Sequence, residues 1–199
     1  MNIEYEATFE NVDKDEIRAR LRAAGATLVR PEYTQKRVVF SLPKGHEIPG
    51  AWLRVRDEGG KTTMSLKVVD PAVGGAGGNI ENQKEICLAV DDFDAAVEFL
   101  SLVGADRKAY QETRREMWSL DGADVTVDEW PFLEPFVEVE GRDMVTVRAA
   151  SEKLGFDYST ALFCSIGTLY VRKYGIAEDV FNDRSPRIVF DMENPFNLK

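Results

Sequence analysis

The sequence predicts an α+β fold: an antiparallel β-barrel of about eight strands, built from two pseudo-repeats, with outer helices and a helical C-terminal segment. Three observations predict it. Short runs alternate apolar and polar residues, the period of a strand buried on one face. The order strand, helix, three strands occurs twice, over residues 1–70 and 80–141. Turn and cap residues stand at matching places in the two halves, and closure of eight strands would leave no exposed sheet edge.

The first strand, Asn2 to Phe9, places Ile3, Tyr5, Ala7 and Phe9 on one face and Glu4, Glu6 and Thr8 on the other. For this strand alone, a solvated acidic face is a sufficient account. Asp13 can cap a helix with Glu16 three positions on, and Ile17, Leu21 and Ala24 form its apolar stripe, which ends at Gly25. Tyr33 to Leu42 reads as a strand ending in a Pro/Gly-rich turn. Trp52 to Arg56 and Thr63 to Val69 follow as a hairpin across the turn at 58–61. The stretch from Asp70 to Asn79 holds Pro71 and four glycines, but no Gly-Lys-Ser/Thr follows. It reads as a connection between strands rather than a phosphate loop.

From Gln83 the plan begins again. Strand Gln83 to Leu88 precedes a helix starting near Asp92, with Ala96, Val97, Leu100 and Val103 apolar and Gly104 at its end. Setting Gly104 against Gly25 brings Glu85 onto Glu6, Asp92 onto Asp13 and Leu100 onto Leu21. In the next strand, Gln111 to Leu120 matches Tyr33 to Leu42 with Arg115 on Arg37. Asp124 to Asp128 and Phe136 to Glu140 complete the second half, joined by the turn around Pro131 and Pro135. Residues 142–199 have no repeat partner. Met144 to Leu154 and Thr160 to Tyr174 have helical character, and Arg187 to Phe190 reads as a short strand. The aromatics Phe156, Tyr158, Phe163, Tyr170 and Tyr174 are expected to cover the barrel, with closure of a substrate site as the second role. The whole of 1–199 is read as one domain.

Composition narrows the function. Against 25 Lys+Arg stand 35 Asp+Glu, a net charge of −10, which argues against broad nucleic-acid binding while allowing a local basic pocket. No apolar run is long enough to span a bilayer and the first residues lack a signal-peptide pattern, so no membrane partner and a cytoplasmic location are expected. Cys87 and Cys164 read as small buried residues. His46, the single histidine, lies in a polar turn, which excludes His-rich zinc sites and most Ser/His/Asp arrangements.

The polar faces can be taken together. The first half offers Glu4, Glu6, Arg37, Arg54, Arg56, Ser65 and Lys67, and the second Glu85, Arg115, Asp128, Glu138 and Glu140. A solvent-facing surface has a similar composition. Inside a closed barrel, however, such charges require ligands or one another. Mixed signs suit a polyanion with a divalent metal: guanidinium groups grip phosphate oxygens, and carboxylates hold Mg²⁺ or Mn²⁺.

On these residues the sequence resembles the CYTH, or triphosphate tunnel metalloenzyme, superfamily, which includes class IV adenylate cyclases, thiamine triphosphatases and inorganic triphosphatases. Glu4-Tyr5-Glu6-Ala7-Thr8 is similar to the family's Glu-x-Glu-x-Lys signature, and Leu53-Arg54-Val55-Arg56, Leu66-Lys67 and Phe136-Val137-Glu138-Val139-Glu140 resemble its later strand motifs. The resemblance implies an eight-stranded tunnel holding a triphosphate. It implies Glu4, Glu6, Glu138 and Glu140 as metal ligands or their support, joined by Glu85 as the repeat partner of Glu6. Arg54, Arg56, Lys67 and Arg115 are implied as triphosphate ligands, joined by Arg37 as the repeat partner of Arg115. Asp128 is implied as a ligand or a water-positioning group and is the catalytic candidate. The chain departs from the pattern at Thr8 and Thr113, where basic residues are expected, and at Cys87, where a carboxylate is frequent. Three activities follow as expectations: metal-dependent triphosphate hydrolysis first, then class IV-type cyclisation of ATP, then binding of nucleotide or polyphosphate without turnover.

Overall fold

The computed structural model describes residues 1–69 and 79–197. The connection read at Asp70 to Asn79 therefore lies outside the described residues, apart from Asn79. The elements are β1 (Asn2–Ile3), β2 (Tyr5–Phe9), α1 (Lys14–Ala23), β3 (Thr27–Ser41), β4 (Ala51–Asp57), β5 (Thr62–Val69), β6 (Gln83–Val90), α2 (Phe93–Leu102), β7 (Asp106–Leu120), β8 (Ala123–Glu129), β9 (Phe136–Gly141), α3 (Met144–Lys153), α4 (Ile166–Tyr174), α5 (Glu178–Asn182) and β10 (Arg187–Ile188).

Neighbouring strands pair antiparallel in the order β1-β6-β5-β4-β3-β7-β8-β9-β2, while β10 adds parallel to β7. Glu4 alone separates β1 from β2, so the two ends of that order meet and the sheet forms a nearly closed barrel. The opening strand, expected as one run, is two because it changes partner. Asn2 and Ile3 pair with Glu85 and Lys84, whereas Tyr5 to Phe9 pair with β9. The eight expected strands thereby become nine around the barrel.

The helices form where their caps predict. Asp13 accepts from the backbone N–H of Asp15 and Glu16 at 3.0 and 2.9 Å, although Glu16 turns to Arg20 instead of completing a capping box. Gly25, at φ +80°, closes α1 in the left-handed region that favours glycine. Asp92 caps α2 through the N–H of Ala95. Ile17 and Leu21 of α1 and Val147, Ala150 and Leu154 at α3 pack on Ala7, Val125, Val127, Val137 and Val139, the outward residues of β2, β8 and β9. Ala96 and Leu100 of α2 pack on Val38, Phe40 and Val55 of β3 and β4. Each fully buried Leu or Phe contributes roughly 1.5–3 kcal/mol, so these two clusters hold the outer apolar face of the barrel and fix the polar face inward.

Four expectations are corrected. β3 begins at Thr27 rather than Tyr33, because register shifts between Leu28 and Arg30 and between Arg30 and Tyr33 absorb Pro31, which has no N–H for a regular ladder. The helix expected from Thr160 starts only at Ile166, because Leu162 exchanges two backbone hydrogen bonds with Thr8 at 2.9 and 3.0 Å. Val103 is exposed beyond the end of α2 rather than part of its buried stripe. Cys87 is exposed, whereas Cys164 is buried as expected. β1 pairs with β6 at Lys84 and Glu85, and among the described residues Ile86 to Val90 pair only with β5. Among the described residues no helix is long and apolar enough to cross a membrane.

The C-terminal aromatics do cover the barrel. Phe156 stacks on Phe9 at 4.1 Å, and Tyr170, with no exposed surface, stacks on Phe181 at 4.4 Å. Leu162, Leu169, Tyr170 and Phe181 form a third cluster with Trp130 and Phe136 around one end of the sheet.

Candidate functional site

Strand alternation turns the charged residues inward. On β4, Val55 packs against α2 while Arg54 and Arg56 face the interior. On β9, Val137 and Val139 pack outward while Glu138 and Glu140 face in. The result is a cavity of about 780 Å³ lined by Glu4, Glu6, Arg37, Arg54, Arg56, Lys67, Glu85, Arg115, Glu138 and Glu140. Ten of the eleven charged residues singled out in the sequence thus share one lining, the eleventh, Asp128, is bound to Arg115, and Ser65 is not part of the lining.

The charges are grouped unevenly. Carboxylate oxygens of Glu4, Glu6 and Glu140 all lie within 4.8 Å of one another. Burial first, and then Glu138 and Glu4, hold the Glu6 carboxyl well above the ordinary carboxylate range, while burial and Glu4 raise Glu140. Three such groups fit a divalent cation with oxygen ligands, which would relieve their repulsion. Glu4 Oε2, itself buried, forms an ion pair with Lys67 Nζ at 2.6 Å. Burial opposes the Lys67 charge, yet Glu4 and Glu6 outweigh it and raise its pKa.

Glu85 and Glu138, also expected as metal ligands or support, stand beside arginines. Glu85 accepts from Arg54 Nη2 at 2.9 Å. Arg115 donates to both oxygens of Asp128 at 2.7 and 2.9 Å, and to Glu138 Oε2 at 2.5 Å. Asp128 is 1% exposed and also accepts from Thr126 Oγ1 at 2.6 Å, so it is fully engaged in holding Arg115. Burial and Asp128, against the opposing pull of Arg115, push Glu138 up to about 7. Arg56 pairs with Glu58 at 2.7 Å.

Arg37 differs from the other four cations. It is 5% exposed, and Nη2 donates only to neutral partners, Gln35 Oε1 at 3.0 Å and Thr113 Oγ1 at 2.6 Å. Its guanidinium lies 4.6 Å from the centre of the Trp130 ring. Nε has no hydrogen-bond partner, and among the described residues no carboxylate pairs with Arg37. Burial, followed by Arg56, Arg54 and Arg115, holds its pKa well below the usual guanidinium value. Burial likewise lowers Arg54 to about 10. A buried guanidinium without an anion is costly, and an anionic ligand would satisfy it.

Of the departures, Thr113 is the neutral partner of Arg37. Thr8 is buried, tied to Leu162 by its backbone, and absent from the cavity lining. Sequence reasoning missed the far wall, where Ser165, Ile166, Gly167 and Thr168 at the start of α4 and Phe181 and Asn182 of α5 line the same cavity. It also missed Trp130 and Gln111. The only signal was the density of aromatics after Phe156, which indicates packing but not which face it meets.

Among curated proteins none matches the sequence. Solved structures match the fold. A conserved hypothetical protein from Pyrococcus furiosus superposes with a TM-score of 0.66 at 20% identity, covering 83% of this chain and 99% of its own. A candidate adenylate cyclase from Vibrio parahaemolyticus gives 0.69 at 11% identity, covering 84% and 97%. A candidate adenylyl cyclase from Hippeastrum, described as having a dominant triphosphatase activity, gives 0.54 at 12% identity, covering 87% and 97%. Identities this low establish the architecture alone. The barrel, its charged lining and a match to the CYTH domain over residues 2–163 agree, and the chain belongs to the CYTH domain family.

Proposed function

We propose that the protein hydrolyses a triphosphate-containing small molecule bound inside the barrel, with Mg²⁺ or Mn²⁺ held by Glu4, Glu6 and Glu140. One observation carries this reading: a cluster of three carboxylates and an anion-less buried guanidinium, Arg37, line a single cavity. Lys67 offsets the carboxylates only in part, and among the described residues no carboxylate pairs with Arg37, so a polyphosphate with a divalent cation would complement both. The triphosphatase activity described for the Hippeastrum relative supports it.

In this reading Arg37, Arg54, Arg56, Lys67 and Arg115 bind phosphate oxygens and spread the negative charge that develops as the terminal P–O bond breaks. Bound Mg²⁺ or Mn²⁺ would screen the phosphates and make water a better nucleophile. Asp128 positions Arg115, to which both its oxygens are bound. Glu85 orients Arg54. Glu138, with its carboxyl near 7, can hold or release a proton at neutral pH and is suited to accept one from the attacking water.

A second reading is cyclase chemistry on a nucleoside triphosphate, in which the ribose 3′-hydroxyl attacks the α-phosphorus and pyrophosphate leaves. Val39, Ala51, Trp52 and Ala109 line the cavity too, a wall unsuited to phosphate and suited to an organic group. The test is incubation with tripolyphosphate, ATP or thiamine triphosphate plus Mg²⁺ or Mn²⁺, resolving orthophosphate, pyrophosphate and cyclic AMP. Orthophosphate release dependent on the metal supports hydrolysis, and cyclic AMP supports the cyclase. Tight binding without product overturns both and leaves a binding domain.

A further inference from the structure

We propose that the protein pairs with a second copy of itself, edge to edge through β6, in an antiparallel two-fold ladder centred on Leu88. The pairing goes beyond the triphosphate reading and does not depend on it.

The two ends of the sheet order are finished differently. At β2, Thr8 exchanges two backbone hydrogen bonds with Leu162 on the side away from β9. At β6, among the described residues, nothing does the same for Ile86 to Val90. Ile86 and Leu88 are 44% and 52% exposed on the outer face, and Cys87 and Ala89 are exposed on the inner one. The stretch holds no charge, proline or glycine. Its register with β5 runs without a bulge from Thr62 and Val90 to Val69 and Gln83. Charges, prolines and bulges are what keep an edge strand single, and a regular apolar strand without them is a template for another strand.

Backbone direction fixes the register. Gln83 offers its carbonyl to the Glu4 N–H on the β1 side. Hydrogen-bonding direction alternates along an antiparallel strand, so Glu85, Cys87 and Ala89 turn their N–H and C=O to that side, and Ile86, Leu88 and Val90 turn theirs to β5. Glu85 pairs with Asn2, which leaves Cys87 and Ala89 with two donors and two acceptors on the open side. A two-fold axis at Leu88 sets Cys87 opposite Ala89 of the second copy, and Ala89 opposite its Cys87, so all four groups are matched.

The side chains favour the same partner. Leu88 meets Leu88 of the second copy as a close cross-strand pair, and Ile86 and Ile3, the latter 39% exposed, extend the apolar surface. The axis also carries the exposed Lys84 toward the exposed Asp92 of the second copy, so opposite charges flank an uncharged centre. Glu85, which Asp91 of the second copy would approach, is already paired with Arg54. Because Cys87 lines the cavity, the second copy's Cys87 and Ala89 would continue that wall beyond β6.

The test is sedimentation equilibrium of the full chain, with Tm read alongside. A dimer is expected. Leu88→Lys sets two ammonium groups face to face at an exposed position and should weaken the dimer about 100-fold with Tm of the monomer level. Ala89→Pro removes an N–H that points to the open edge and none that β5 uses, and should cost about 30-fold through the two lost hydrogen bonds. Cross-linking needs no change to the strand: the two Cys87 residues lie roughly 7–8 Å apart as diagonal neighbours, so a short bismaleimide should join them, and Cys87→Ser should abolish the product. A chain that stays monomeric at about 1 mM overturns the proposal. So does a dimer that keeps its affinity in both Leu88→Lys and Ala89→Pro, or assembly that continues past two copies.

Discussion

Arg37 and Arg115 occupy matched places in the two halves of the chain and face the same cavity, yet their surroundings are opposite. Arg115 holds two carboxylates, and these outweigh burial to raise its pKa well above the ordinary value. Arg37 holds only an amide and a hydroxyl, and its pKa falls well below. Two residues of one type at corresponding positions therefore serve different ends. Arg115 is held by the protein's own carboxylates, which adds a stabilising role to the phosphate binding proposed for it. Arg37 is held in readiness for something the protein does not supply.

The comparison can be tested from its strongest side. Arg115→Gln leaves Asp128 and Glu138 buried without their cation and is expected to destabilise the fold by about 3–5 kcal/mol, read by chemical denaturation. Arg37→Gln should do the reverse. Tm stays level or rises, while tripolyphosphate turnover falls about 100-fold, or about 2.7 kcal/mol. Equal loss of Tm in both variants would erase the distinction.

A pH scan sharpens the contrast on the acidic side. The Glu138 carboxyl is raised from 4.5 to about 7 on folding, so between these values the native state holds a proton that the unfolded chain has released. The associated stability is fully present below 4.5 and is lost as pH rises through about 7. Without divalent cation the protein should be more stable at about pH 5.5 than at about pH 8 by about 2 kcal/mol, and Glu138→Gln should flatten that slope. Glu6 and Glu140 are shifted the same way and add to it, while Glu85, lowered by Lys67 and Arg54 against burial, opposes it. The smallest effect is expected from Thr113→Val, which removes a neutral acceptor from Arg37 and should cost about 1 kcal/mol of stability.

Much of this was legible in the sequence because alternation fixes facing. Once Leu53 and Val55 were assigned outward, Arg54 and Arg56 had to point inward, and the same logic placed Lys67, Glu138 and Glu140. The caps Asp13 and Asp92 marked both helix starts. Alternation carries no information on which inward charge meets which, since that depends on strand order and stagger. So Glu85 reads like Glu6 in the sequence but stands with Arg54, and Asp128 reads as a free catalytic group but is bound to Arg115 and Thr126. The start of β3 was hidden by Pro31, whose local preference the bulged pairing with β7 overrides. The α4 wall was invisible because a helix packed over the end of a barrel leaves no periodic mark on the strands it meets.

The change of partner at Glu4 reaches beyond strand counting. This residue lies between a tie to β6 of two residue pairs and a ladder to β9 of five, and its carboxylate is one of three in the tight acidic group. Closing the hoop therefore also places the third carboxylate of that group. A chain whose first residues came away from β6 would keep Glu6 and Glu140 on the paired strands β2 and β9, yet would lose the position of Glu4 beside them. The N-terminus acts as the clasp of the molecule, and the clasp carries the stone.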